Sequence, residues 1–166
     1  MSHESNPQLL VSTQHGSFIA TYSPNGLTGL EFPGKTSSKK ARPTNLPPAL
    51  RQWHRLTEQA VNAVLAGRTP KELPPFDVSS GTKFQRQVWE ELTWIPCGET
   101  RSYAEIAKGI RKPKASRAVG GACGANPIPL LIPCHRVLAA SGKIGGFSGG
   151  LEWKQRLLSK EGVAVK

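Results

Sequence analysis

The chain is short of acidic residues, of cysteine and of long apolar runs, and each shortage excludes something. Its 166 residues carry 11 Asp and Glu against 22 Lys and Arg, a formal charge of +11. Such an imbalance points to a polyanionic partner, either nucleic acid or an acidic membrane surface. It is uneven: residues 1–80 hold 8 basic and 5 acidic side chains, residues 81–166 hold 14 and 6. The later half is therefore the expected contact surface. The three cysteines, Cys97, Cys123 and Cys134, show no CxxC spacing. That spacing gives no disulfide framework and suits free thiols in a reducing cytoplasm, bacterial cytosol or nucleoid. The histidines at 3, 15, 54 and 135 form no HxxxH or paired Cys/His pattern, so neither a metal nor another cofactor is expected. No apolar run is long enough to span a bilayer, and "MSHESNPQ" has no signal core, so no membrane role is expected.

What is present describes an ordinary globular protein, with 37% hydrophobic and 20% charged residues. A chain of this length buries one core, or one split over two small lobes. "LLVSTQHGSFIATYSPNGLTGLEF" alternates β-favouring runs with the turn signals His15-Gly16 and Pro24-Asn25-Gly26, which predicts a small antiparallel meander. "PGKTSSKKARPTNLPP" reads as a polar loop, and "ALRQWHRLTEQAVNAVLAG" as a helix closed by a glycine. "FDVSSGT" reads as a short strand and hinge. The expected division is a small α/β domain over 1–80, an antiparallel sheet plus a helix, followed by a mainly helical domain over 81–166.

In the second part, Thr82 is placed to cap a helix whose Phe84, Val88 and Leu92 share a face, and Ser102 with Glu105 forms a capping box. After the basic turn "RKPK", "ASRAVGGACG" reads as a short helix despite its glycines. Two short helices joined this way fit a helix-turn-helix or a plain αα-hairpin. The charge surplus and the close approach that Gly120 and Gly121 permit weigh toward the former.

"LLIPCHRVLAASG" places Cys134 before His135 at the end of an apolar run. A lone cysteine there is ordinarily a small core side chain. His135 beside it can take a thiol proton, Arg136 is expected to add positive potential favouring thiolate, and the glycine-rich "GKIGGFSGG" suits a pocket wall. Sequence neighbours need not touch, so a bridging water between Cys134 and His135 is expected. Glu161 is placed to orient the imidazole.

"RAVGGACGANPIPLLIPCHRVLAASGKIGGFSGG" resembles the signature region of the O6-alkylguanine-DNA alkyltransferases. The RAVG, NPIP and PCHRV motifs and the glycine-rich loop stand in family order, and the resemblance covers about residues 82–162. It implies a winged-helix-like helix-turn-helix in the second domain. It also implies direct-reversal repair, in which an alkyl group moves from O6-alkylguanine, or O4-alkylthymine, in double-stranded DNA to the protein's own cysteine. The resemblance further implies a single-turnover methyltransferase reaction, by a monomer without cofactor. In that frame Cys134 is the acceptor and His135 with Glu161 the relay that makes it a thiolate. Tyr103 donates to the leaving guanine and touches the DNA backbone, and Asn126 braces the turn. Arg117 takes the flipped base's place in the stack. Ala118, Gly120 and Gly121 allow close entry into the minor groove. Ser148 bonds the guanine oxygen, the Val137 carbonyl meets the guanine amine, and Phe147 forms an aromatic wall where many relatives carry tyrosine. Cys123 and Cys97 are expected to be packing residues, and the N-terminal half lacks cysteine for the structural zinc of some relatives. Two other readings stand beside this one. One is a lesion-binding protein without chemistry, which the presence of Cys134 opposes; the other is a Cys–His hydrolase, which leaves the charge unexplained.

Overall fold

The meander folds as three antiparallel strands, β1 (Gln8–Thr13), β2 (Gly16–Ser23) and β3 (Gly26–Glu31), in the order β1-β2-β3. The computed structural model describes residues 6–34, 45–147 and 149–165. Part of the polar loop after β3, and Ser148, lie outside those residues. β1 and β2 stay in register from Gln8–Thr21 to Thr13–Gly16, and an irregularity between Thr21 and Tyr22 bends β2 against β3. Alternation sends Leu9, Val11, Phe18, Ala20 and Tyr22 into the core. Helix α1 (Pro48–Leu65) covers the sheet with Leu50, Thr57, Ala60, Val61 and Val64 buried on one stripe. It ends at Gly67 in the left-handed region, φ 76°, where any side chain would run into the Lys160 carbonyl. That glycine brings the end of α1 against the end of the last helix.

The segment expected as a strand and hinge forms only an isolated parallel bridge, Leu27 with Phe76. Pro74 and Pro75 before it lack the amide donors a ladder needs. It is tied down all the same: Leu27 N donates to Pro75 O and Asp77 N to Leu27 O, both at 2.8 Å. The Asp77 carboxylate in turn accepts from Ser23 and Ser79.

Beyond it, α2 (Lys83–Leu92) opens on a Thr82–Gln85 capping box, and Val88 and Leu92 are buried while Phe84 packs at the edge. The two-residue strand β4 (Arg101–Ser102) leads into α3 (Tyr103–Gly109), capped by Ser102 and Glu105 as the sequence predicts. A turn through Arg111, φ 63°, carries the chain into α4 (Ser116–Gly124). Helices α3 and α4 pack on each other and on α2, a helix-turn-helix arrangement. Trp89 Nε1 donates to the Ala122 carbonyl at 2.8 Å, which pins α4 to α2. After a 3-10 turn at Cys134–Arg136, β5 (Val137–Leu138) pairs parallel with β4, and α5 (Leu151–Lys160) closes the fold. One apolar core runs through both halves. Phe18 of β2 and Phe32, just past β3, meet Trp153 of α5 at ring separations of 5.6 and 5.2 Å, and Phe32 meets Phe147 at 5.6 Å. Among the described residues no helix is long and apolar enough to cross a membrane.

Candidate active site

The segment leading to Cys134 is held from inside by one side chain. Asn126 Nδ2 donates to the Ile132 carbonyl at 2.8 Å and its Oδ1 accepts the Ile128 amide at 2.9 Å. Between them Leu130 sits in the left-handed region, φ 74°, a conformation costing an ordinary residue about 1 kcal/mol or more. The Asn126 clasp and the burial of Leu130 hold that turn closed. Cys134 follows, 4% exposed, and opens into a cavity of about 290 Å3 lined also by Tyr103, Gly120, Cys123, Gly124, Gly146 and Phe147. A larger hollow of about 720 Å3 lies against α1, but it holds neither a thiol nor a histidine.

Behind Cys134 lies a buried ionic cluster. His135 is wholly buried, and its Nε2 is 3.0 Å from Glu161 Oε2. Arg136 closes a fork on the same carboxylate, Nε to Oε1 and Nη2 to Oε2 each at 2.9 Å, while Nη1 donates to the Ile95 carbonyl at 2.8 Å. Burial pushes the Glu161 carboxyl up, but the hydrogen bonds and charges of His135 and Arg136 outweigh it and hold it at about 2. The carboxylate is therefore ionised and accepts the Nε2 proton. Burial drives His135 below its ordinary value against the pull of Glu161, so the ring is neutral at pH 7. Its Nδ1 is then the basic nitrogen, and among the described residues it is the one buried side-chain polar atom without a protein partner.

The thiols and the phenol are all pushed up by burial. The Cys134 thiol is raised, opposed by a hydrogen bond from Asn126 and the charge of Lys154, and Cys123 is raised to about 12. Tyr103 stays a phenol for the same reason, with the neighbouring thiols adding to the effect. The expectation that Arg136 favours the thiolate needs correcting. Its guanidinium is committed to Glu161 and Ile95, and the cation acting on Cys134 is Lys154.

The remaining candidates separate by location. On α4, Arg117, Ala118 and Gly121 face solvent while Val119, Ala122 and Cys123 are buried. A side chain at Gly121 or Gly124 would meet nothing within 4 Å, so packing within the protein does not require their smallness. Cys123 packs in the core, yet it also lines the pocket. Ser148 lies outside the described residues. The Val137 carbonyl is present but already accepts from Lys154 Nζ at 2.7 Å.

This geometry has close counterparts. Residues 83–163 match the family model "6-O-methylguanine DNA methyltransferase, DNA binding domain". A methylated-DNA–protein-cysteine methyltransferase of Methanosarcina acetivorans is 49% identical over 114 residues, 67% of this chain and 70% of that protein. The chain belongs to the O6-alkylguanine-DNA alkyltransferase family. The same-named protein of Mycobacterium tuberculosis H37Rv is 53% identical over 104 residues, 61% of either chain. A crystal structure of the M. tuberculosis OGT in complex with DNA superimposes with a TM-score of 0.75 at 38% identity, covering 92% of this chain and 90% of that one. Sequence alignments with several curated relatives thus span under two thirds of their length, whereas the fold match spans nearly all of both chains. The family performs direct-reversal repair by cysteine alkyl transfer from O6-alkylguanine, a methyltransferase activity, and the matched stretch is the family's DNA-binding domain.

One buried charge near this site was not anticipated from the sequence. Lys154 is fully buried, behind Cys134. Its signal is the α5 stripe Lys154, Leu157, Leu158 and Glu161, spaced i, i+3, i+4, i+7, which places both charged residues on the inward face.

Proposed function

We propose that Cys134 accepts the alkyl group of O6-alkylguanine in duplex DNA and keeps it. The observation that carries this reading is the buried His135, tied to Glu161 through Nε2 and unpartnered at Nδ1, in the residue that follows a pocket thiol. The Cys134 S–H bond breaks and its proton passes to His135 Nδ1 by way of solvent; Glu161 stabilises the imidazolium. The thiolate pair forms the S–C bond as the O6–C bond breaks, and the electron pair leaves with guanine. Tyr103, held as a phenol at the pocket rim, protonates the departing base and is reprotonated from the imidazolium. The thiol proton thus ends on guanine, and atoms and charge balance.

The target carbon is unreachable in a stacked duplex, so the base is extruded into the pocket between Tyr103, Gly146 and Phe147. Arg117, exposed on α4, fills the gap in the stack, and the small exposed Ala118 and Gly121, with half-buried Gly120, let the helix enter the minor groove. Asn126 keeps the Cys134 segment in place, Ser148 and the Val137 carbonyl recognise the base, and Phe147 forms the wall. We assign residues 1–80 to support and residues 81–166 to DNA binding and transfer, in a cytoplasmic monomer. A thioether is a poor leaving group, so each chain reacts once. The test is intact mass and peptide mapping after incubation with a duplex carrying one O6-methylguanine. One methyl group per chain, on Cys134, is expected; continued turnover or a methyl on Cys123 contradicts the reading.

A further inference from the structure

We propose that Phe32, in the N-terminal half, is a positioning residue for this reaction. Acting through Phe147, it fixes one wall of the Cys134 pocket and so the size of alkyl group the pocket takes. The inference rests on the reading of Cys134 as acceptor, and it gives the N-terminal sheet a part in substrate choice.

The glycine-rich wall of the pocket has little structure of its own. Its described residues between Ile144 and Gly149 belong to no helix or strand, and four of the six residues 145–150 are glycine. Gly145 and Gly150 stand in the left-handed region, φ 69° and 99°. Gly150 N donates to the Phe147 carbonyl at 3.0 Å, and the Gly146 carbonyl accepts from Lys154 Nζ at 3.2 Å. The bulky side chain this wall offers to the pocket is Phe147, which is half-buried. A ring carried on so permissive a backbone keeps its place where another group stands behind it.

Phe32 is that group. It lies one residue beyond the Ile19–Glu31 pair of the sheet and is 5% exposed. Its ring meets Phe147 nearly at right angles, 80°, with centroids 5.6 Å apart, a favoured edge-to-face arrangement. Phe32 is held in turn by Phe18 at 5.3 Å and Trp153 at 5.2 Å. It is not itself a lining residue of the 290 Å3 cavity, so it acts on the pocket through Phe147. Phe18 belongs to the same cluster and is wholly buried, yet its described ring partners are Phe32 and Trp153.

The fit around these two rings is tight. A Cβ at Gly149 would fall 2.6 Å from Phe32 Cε2, 2.7 Å from Cζ and 3.0 Å from Phe147 Cε2. Gly149 is not among the glycines in the left-handed region, so its smallness answers to the rings and not to its backbone. Phe147 therefore has no room to retreat from the pocket while Phe32 stands behind it. The facing lining residues, Tyr103 on α3 and Cys123 on α4, sit on helices packed against each other. The side that can yield is the glycine-rich one, and Phe32 limits how far. A shorter side chain at position 32 lets the Phe147 ring fall back: a small alkyl group then loses contact, and a large one gains space.

The test compares Phe32→Leu with Phe18→Leu, two truncations of one aromatic cluster, in single-turnover transfer from duplexes carrying one O6-methylguanine or one O6-benzylguanine. In Phe32→Leu the benzyl-to-methyl rate ratio is expected to rise about tenfold over the parent's, the scale on which an apolar pocket resolves small differences in size. In Phe18→Leu, which loosens the same core, the ratio is expected to stay within about twofold. An unchanged ratio in Phe32→Leu, or an equal rise in both variants, overturns the proposal. Gly149→Ala gives the converse: its methyl group crowds both rings, and methyl transfer is expected to slow about tenfold. Phe32→Leu in the same chain makes room for that methyl, so the double variant should react at least as fast as Gly149→Ala alone. Losses that multiply in the double variant overturn the proposal. Should Phe32→Leu not fold, 19F NMR of protein carrying 4-fluorophenylalanine at position 32 decides. The signal is expected to move when Cys134 is capped by iodoacetamide, which needs no alkylated DNA, and further when it carries a benzyl group; a signal indifferent to both overturns the proposal. Failure of the unsubstituted protein to methylate Cys134 would instead remove the underlying reading, independently of the 19F result.

Discussion

Each half of the molecule builds a histidine and a glutamate into a polar cluster, and the two are wired differently. In the N-terminal half, His54 Nδ1 lies 2.8 Å from the Tyr22 hydroxyl, and Nε2 lies 3.0 Å from the Leu10 carbonyl and 3.4 Å from Glu58. Tyr22 also donates to Thr57 at 2.9 Å, and Thr57 to the Trp53 carbonyl at 2.8 Å. Both imidazole nitrogens are occupied, and the cluster stitches α1 to β1 and β2. In the C-terminal half, His135 has one nitrogen on a buried carboxylate and the other without a protein partner, in a chain segment that also carries a pocket thiol. Saturation marks a histidine that holds structure. A basic nitrogen without a protein partner, with a carboxylate on the far side of the ring, is the arrangement that the proposed proton relay requires.

The largest effect expected from breaking this contrast is at the carboxylates. Glu161→Ala leaves Arg136 buried without its anion and removes the orienting group of His135. We expect a loss of about 3–5 kcal/mol of stability, by denaturant titration. Glu58→Ala removes a half-exposed partner at 3.4 Å and should cost about 1 kcal/mol or less. Equal losses would mean that the two clusters do the same work. At the histidines the separation should be kinetic. His135→Asn is expected to slow single-turnover transfer by about 100-fold or more with duplex affinity retained, whereas His54→Asn should lower the melting temperature and leave the rate of the folded protein unchanged.

How far the sequence reveals this wiring depends on the range of the contacts. The meander, α1, both capping boxes and the helix pair are written in local patterns of period 2 or 3.6 and in residues three apart, so they are legible. Cys134, His135 and Asn126 are legible because their motifs are contiguous. Arg136 misleads, because its charge is consumed by a partner 25 positions away. Lys154 is hidden by a general expectation that lysine lies at the surface, and only its place on the α5 stripe contradicts that expectation. The bridge at Phe76 is overstated by composition, since two prolines upstream limit its pairing.

Acid should sharpen the contrast further. Glu161 is held at about 2, below its ordinary 4.5. A carboxyl depressed by folding stabilises the protein above its unfolded value, and that contribution is lost as pH falls from about 5 through about 2. His135 is also depressed, so it adds to acid destabilisation below its ordinary 6.5, where the unfolded chain takes up a proton that the folded chain does not. Both signs agree: the melting temperature should fall from pH 7 to pH 2, and Glu161→Gln should flatten that fall. A slope identical in the variant would place the acid sensitivity elsewhere. The smallest effect concerns the exposed face of α4. Gly121→Ala meets open space and should add about 0.5–1 kcal/mol of helix stability while weakening duplex binding. Unchanged affinity would mean that DNA does not approach α4 closely at this position.

The central claim, that His135 rests as a neutral base with its free nitrogen at Nδ1, is tested most directly by 15N NMR of histidine-labelled protein at neutral pH. The account predicts a His135 ring protonated at Nε2 and bare at Nδ1, persisting below the pH at which an exposed histidine titrates. A doubly protonated ring at neutral pH, or a proton resting on Nδ1, would contradict it.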